Sequence, residues 1–406
     1  MPVESRARFG LTRSGKAAAV GGAVTLVAGR VAGIEELSVA GVCLLVLVAA
    51  SLLVVRAAGS DLAVRRTVRP RRVEVGDQFT VSLQIHNGRS GLRLPLVVGD
   101  SLDGRRVVQL SLPQRRKDPA CVAEYTVGAS RRGLATFGPV TIRSLDPFAF
   151  ARTDLVVPAL IDVIVLPQIH RLGLSGALAA DDPSGGLRHR RQIATVSEEF
   201  DTLREYVPGD DVRRVHWAST ARLGRPMVRT HQQPSQRRTT VVLDDRADAY
   251  PPSRGTAPFE RAISAAASAL VACREQGDLV RLVCAGGSDS DYFDDPQRMD
   301  TVLDQLAAAS TSAVGSLRGA LATATAVGSG DRVVVCTGTI GADDRAAISG
   351  SASRGGEHVA ITTGDGAPAT SEAKVLNVTI GESDDLDRRW QAAVRARAAG
   401  PVRVGA

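Results

Sequence analysis

Few residue runs in this chain carry the types and spacing that chemistry needs. Asp244, Asp245 and Asp248, in Leu243-Asp244-Asp245-Arg246-Ala247-Asp248, stand just past a β-branched run. Three carboxylates at a strand end suit a hard divalent cation such as magnesium, which takes oxygen ligands, and a metal-assisted hydrolase is the enzyme reading they would allow. A solvated acidic loop is the simpler account. A second run, Gly10-Leu11-Thr12-Arg13-Ser14-Gly15-Lys16, follows seven positions of a phosphate-binding loop but has Ala17 where Ser or Thr belongs. No strand is expected before it, so the frame that aims backbone N–H groups at phosphate is missing, and it reads as a basic segment. The third is Glu198 to Arg222, in which Arg204, Tyr206, Pro208, Gly209, Asp210, Asp211, Arg213, Trp217 and Arg222 crowd acids and arginines around one tryptophan. Pro208-Gly209 makes a turn, Asp210 is a natural N-cap, and Val212, Val215 and Trp217 could pin a short helix to a sheet. Interleaved charges of this kind suit a salt-bridge clamp. Leu187 to Arg238 holds eleven arginines, but six acids among them make a stripe facing nucleic-acid phosphates improbable. There is no Gly-x-Ser-x-Gly, no complete phosphate loop and no paired histidine ligands, so neither a catalytic nor a cofactor-binding residue is expected and the chain reads as non-enzymatic.

The elements that must hold these runs begin with a hydrophobic N-terminal region. Leu37 to Val55 is 19 residues without a charge, long enough to span about 30 Å of hydrocarbon. Ala17 to Ile34, interrupted by Arg30, is a weaker candidate; Glu35 and Glu36 between the two read as the turn of a transmembrane helical hairpin over 17–56. Arg6, Arg8, Arg13 and Lys16 precede the pair, and Arg56, Arg65, Arg66, Arg69, Arg71 and Arg72 follow it. By the positive-inside rule both ends, and the body beyond, face the cytoplasm of a cell-membrane, multi-pass protein. The formal charge of +7 belongs wholly to residues 1–72; residues 73–406 carry 39 charges of each sign. Aromatics are 3% of the chain, too few for the stacking platforms of a single-strand nucleic-acid binder.

Beyond the hydrophobic pair, short alternating runs over 62–166, among them Phe79 to Ile85, predict a small all-β sandwich. Residues 167–199 read as a linker and 200–238 as the charged segment. From Thr239 strands alternate with helices to Ala398, which predicts a doubly wound α/β domain, with 399–406 as a tail. In such sheets the functional crevice lies at the carboxyl ends of the strands, which directs attention to the loops after Leu243 and Cys336. Cys43 lies inside the second hydrophobic span, and the isolated cysteines Cys121, Cys273, Cys284 and Cys336 read as reduced and buried.

The run Phe200-Asp201-Thr202-Leu203-Arg204-Glu205-Tyr206-Val207-Pro208-Gly209-Asp210-Asp211-Val212-Arg213, with Trp217, Ala221-Arg222 and Arg225 to Arg229, resembles the signature of the bacterial family called domain of unknown function 58. Leu11-Thr12-Arg13-x-Gly15 before the hydrophobic pair, Arg131-Arg132-Gly133-Leu134, Gly138-Pro139 and Asp146-Pro147-Phe148 follow the family layout as well. The resemblance implies a membrane-anchored protein ending in a von Willebrand factor A-like domain that works beside a MoxR-type AAA+ ATPase, in assembly or maturation of the cell envelope or other complexes. It also implies a metal site of the form Asp-x-Ser-x-Ser. Asp244 matches its first position, but Arg246 and Asp248 replace the serines and no Asp follows Cys336-Thr337-Gly338-Thr339, so the metal site is expected to be degenerate. The loop after Leu243 is then the expected partner face, and neither nucleic acid nor a small-molecule substrate is expected.

Overall fold

The computed structural model describes residues 6–58, 62–87, 94–112, 120–173, 201–207, 215–231, 236–326, 331–364, 369–370, 374–381 and 384–398. They form two compact units, Met1–Leu166 and Pro167–Ala406.

The first unit begins with a strand. β1 (Arg6–Leu11) runs into α1 (Arg13–Ala32) and then α2 (Glu35–Ala58). This corrects the expectation that no strand precedes the phosphate-loop-like run. That run still forms no cradle: Gly10 lies in β1, Thr12 caps α1 by accepting the Gly15 N–H at 3.0 Å, and Gly15 is already helical. Gly33, at φ +70, stops α1, a left-handed conformation that costs glycine nothing. The two helices meet along a seam of small residues. Gly15, Gly22 and Gly29 are the buried positions of α1, and a Cβ on Gly41 of α2 would stand 2.6 Å from the Leu26 nitrogen. Their other faces bare Val20, Val24, Val27, Val31, Val39, Val42, Val46 and Leu53. By length and composition α2 could cross a membrane, and no other helix among the described residues meets that test.

The chain then lays down β2 (Leu62–Arg69), β3 (Arg72–Glu74), β4 (Gln78–Asn87), β5 (Leu96–Leu102), β6 (Arg105–Leu112), β7 (Ala120–Gly128), β8 (Gly133–Phe137), β9 (Val140–Leu145), β10 (Ala151–Val157) and β11 (Ile161–Leu166). One sheet has the order β1-β10-β9-β5-β8-β11-β3 with β6 on β5, and the other is β2-β4-β7. Phe79, Val81, Leu83 and Ile85, alternate residues of β4, face Phe137, Val163, Val98 and Ile142 of the larger sheet, so the two sheets share one core as a sandwich. β1 belongs to that sandwich, which therefore starts at residue 6 and not at residue 62.

A buried charge cluster ties the sheets together. Arg66 of β2 pairs with Asp100 of β5, both side chains nearly inaccessible, and Tyr125 of β7 donates to the other Asp100 oxygen at 2.5 Å. Arg66 is thus a core residue and no part of a basic flank on the helices. Burial, with the Asp100 hydrogen bond, holds the Tyr125 hydroxyl well above the ordinary tyrosine range.

In the second unit residues 167–173, expected as linker, are docked. Ser264 and Ser268 bond the backbone of Gln168 and His170, and Trp390, 2% exposed, reaches the Gly173 carbonyl. β12 (Asp201–Glu205) and β13 (Met227–His231) make a separate antiparallel pair, with α3 (Trp217–Leu223) between them in sequence. β14 (Arg238–Leu243), β15 (Leu279–Cys284), β16 (Arg332–Thr337), β17 (Glu357–Thr363) and β18 (Val375–Ile380) form a parallel sheet of order β15-β14-β16-β17-β18. Residues 288–293 run back antiparallel along β15, bridged at Val283–Asp289 and Val280–Phe293. The helices are α4 (Ala257–Glu275), α5 (Pro296–Ala308), α6 (Leu317–Thr325), α7 (Ala342–Ala352) and α8 (Leu386–Ala398). Val242, Val283, Val333 and Val335 pack against Leu317, Leu321, Ile348 and Ala352 of α6 and α7. The alternate residue Arg332 points the other way, to Cys273 and Gln276 at the end of α4, so both faces are covered.

Candidate functional site

The strand order reverses between β14 and β16, and the carboxyl ends of such a pair are where open α/β sheets place their functional crevice. Asp244 follows β14 directly; its side chain has no exposed surface, and its N–H bonds the Cys336 carbonyl at 2.8 Å. A carboxylate at such depth must be paired. Arg246 supplies the pair bidentately, Nε to Oδ1 at 2.8 Å and Nη2 to Oδ2 at 2.9 Å, and Thr337 at the end of β16 donates to Oδ2 at 2.7 Å. Arg246 also reaches Asp344 at 3.0 Å. The Tyr250 hydroxyl donates to the Asp244 carbonyl at 2.7 Å. Where an ion would bridge acids from two loops, a guanidinium of this chain bridges them.

Asp344 was not legible as a site residue. Asp343 and Asp344 sit in the first turn of α7 behind Gly341, an acid-rich helix start that could have signalled it. Asp245 turns away from this cluster; its Oδ1 accepts the Gly286 N–H at 2.6 Å. Asp248 is exposed on the short 3-10 turn Ala247–Ala249. Among the described residues, the one group of three or more His, Cys, Asp or Glu side chains close enough to share an ion is His170, Asp385 and Asp387, which contains neither Asp244 nor Asp248. The residues present thus fit an internal cation better than a metal ion.

Charges in the crevice are set by burial and pairing. The hydrogen bond to Asp244 holds the Arg246 guanidinium protonated beyond its ordinary range. Burial pushes the Asp245 carboxyl above the usual carboxylate range, against the Gly286 N–H. Burial also raises the Tyr250 hydroxyl and the Cys336 thiol, and takes the Cys284 thiol to about 12. The wall allows no larger side chain at Gly338, where a Cβ would lie 2.2 Å from the Ala249 carbonyl oxygen. All five cysteines are free; Cys273, Cys284 and Cys336 are buried as expected, Cys121 is only half-buried, and Cys43 is exposed on α2.

The signature segment differs from its expected arrangement. Pro208, Gly209, Asp210, Asp211, Val212 and Arg213 lie outside the described residues. Arg204 pairs through its backbone with Val228, and Tyr206 N–H bonds the Pro226 carbonyl at 2.9 Å. The helix begins at Trp217, and His216 is its N-cap, its ring nitrogen accepting the Ser219 N–H. Among the described residues Trp217 is 67% exposed and does not pin the helix to a sheet; Val215 and Val228 are a buried pair of this hairpin. Trp217 opens the first turn of α3, before the helix can turn a face inward, which places it outward. Arg222 is exposed, and the Arg225–Glu205 pair at 3.3 Å leaves both side chains 59% accessible. An exposed pair of this kind contributes little to stability, so it is a weak clamp.

Three comparisons bear on this architecture. The family model described as "Protein of unknown function DUF58" matches residues 202–397, from β12 to α8. No curated protein matches the chain. Among solved structures, a CARDB domain from Pyrococcus furiosus determined in complex with di-metal ions is 16% identical, with a TM-score of 0.20, over 26% of this chain and 92% of that one. Cwp6 from Clostridium difficile is 7% identical, with a TM-score of 0.15, over 84% of this chain and 56% of that one. The hairpin, the parallel sheet and the cluster of Asp244, Arg246, Thr337 and Asp344 therefore all lie within the stretch that matches the DUF58 family model.

Proposed function

We propose that the chain is a membrane-anchored, non-enzymatic platform whose von Willebrand factor A-like domain engages a MoxR-type AAA+ ATPase, with the crevice after β14 as the partner face. The observation that carries this reading is the Asp244–Arg246–Asp344 arrangement. It stands where open α/β sheets place their ligands, yet its charges are consumed within the chain. Such a crevice suits docking more than turnover. The antiparallel segment 288–293 outside β15 extends the order to that of a doubly wound sheet reversing between its first and fourth strands, which supports the A-like reading.

The N-terminal strand supports a two-helix hairpin. A chain crossing once through α2 would leave β1 and β2 on opposite sides of the bilayer, yet both belong to one sandwich. α1 must then return across the membrane, and the valines bared on both helices suit lipid. With basic residues at both outer ends, the body faces the cytoplasm. Copurification of the tagged full chain from its native membranes tests the partner half. An AAA+ protein should be recovered from the unaltered chain and lost when the exposed Asp248 and Asp343 are both changed to Arg. Equal recovery from both would remove the crevice from the interface.

A further inference from the structure

The membrane-anchored reading leaves one end of the sandwich close to the bilayer, and its surface there is unusual. Thr12 alone separates β1 from α1, and residues 59–61 separate α2 from β2. α1 is also fastened to the corner between β9 and β10. Thr12 N–H bonds the Phe150 carbonyl at 2.9 Å, and a Cβ on Gly15 would stand 1.9 Å from that same oxygen. The corner is built to present an aromatic side chain outward. Asp146, 3% exposed, accepts the N–H groups of Phe148 and Ala151, and Ala149 takes φ +58. Phe148 is left 56% exposed and stacked on Phe150 with ring centroids 6.2 Å apart. Phe9, two residues before β1 ends, is 42% exposed, with the Arg56 guanidinium 6.0 Å from its ring. Arg13 and Lys16 are exposed on the first turn of α1, and Arg56 on the last of α2. The corner's own acid is spent on backbone N–H groups.

We infer that this end of the sandwich rests on the bilayer surface, with Phe9 and Phe148 among the headgroups and Arg13, Lys16 and Arg56 paired with anionic lipid phosphates. The inference depends on the membrane-anchored reading. Water-exposed phenylalanines are costly, and aromatic rings at headgroup level beside basic residues are what an interface retains. The occupant follows from continuity: these residues surround the outer ends of the helices, and no linker is long enough to lift the sandwich clear.

Fluorescence quenching on the full chain in vesicles of phosphatidylcholine and phosphatidylglycerol tests it, read as the signal above that of the unaltered protein with its Trp217 and Trp390. Three variants place a reporter: Phe148→Trp at the corner, Val46→Trp within α2, and Leu160→Trp beyond the far end of β10, a position 65% exposed. Phe148→Trp should lose intensity to lipids brominated near the headgroup and little to lipids brominated near the chain ends, while Leu160→Trp loses none to either. Replacing Arg13 and Lys16 by Gln, or omitting phosphatidylglycerol, should reduce the Phe148→Trp loss. Deep quenching of Val46→Trp with Phe148→Trp as unquenched as Leu160→Trp would overturn the inference and leave the anchor standing. No quenching of Val46→Trp would overturn the anchor and the inference with it.

Discussion

At Asp244 the carboxylate charge is neutralised by Arg246, the residue that breaks the metal motif. Arg246 takes the place of the second ligand and performs the ion's bridging between Asp244 and Asp344. This revises what a substitution should do. Asp244 looks from the sequence like a surface ligand whose loss would spare stability. Because its side chain is fully buried, Asp244→Ala leaves Arg246 half-paired and Thr337 without its acceptor, at a cost of about 3–5 kcal/mol in a denaturant titration of the detergent-solubilised chain. Asp100→Ala, which strips Arg66 and Tyr125 of their shared partner inside the sandwich, should cost a similar amount. Asp245 predicts a pH effect of the opposite sign from a salt-bridged acid. A carboxyl whose folded pKa lies above its unfolded value binds protons better in the folded chain, so it lowers stability at neutral pH, and the penalty fades as pH falls through the raised value. Asp245→Asn keeps the oxygen that accepts from Gly286 and should melt higher than the unaltered chain at pH 7. The gap should close on acidification through the carboxylate range; a gap that widened would refute the assignment.

Elements were legible where their pattern was self-contained. β4 alternates Phe79, Val81, Leu83 and Ile85, and β14 to β18 are short β-branched runs between helices, so both halves of the body could be read directly. β1 was missed because Arg6 to Leu11 is short and carries two arginines and a glycine; its pairing with β10 makes it a strand. α7 was missed because Ala342 to Ala352 turns inward little more than Ile348 and Ala352, too narrow a stripe to announce a helix. Trp217 misled because an aromatic residue in a charged run suggests an anchor, whereas its position at the first turn of α3 faces it out. The helix pair carries a prediction at this scale. Gly41→Leu must push Leu26 away along the seam, so the solubilised chain should melt lower by about 1–3 kcal/mol, while Gly21→Leu, with nothing within 4 Å of its Cβ, should not.

Across the whole molecule, two motifs far apart in sequence turn out to be one joint: Thr12 to Gly15 seats against the turn that Asp146 holds, fastening helix to sandwich. That union was not legible, because nothing in either run names the other. The partition of charge was legible, but Arg66, counted in its basic flank, is a core residue paired with Asp100. The second unit carries the partner claim, on which the functional account stands. Site-specific photo-crosslinking tests it most directly, with the reactive residue placed at Asp248 on the crevice rim or at the exposed Thr301 on α5, in the full chain in its own membranes. The account predicts an adduct at position 248 that contains an AAA+ ATPase and is absent at position 301. No AAA+ adduct at 248, with or without ATP, or equal adducts at both positions, would contradict it.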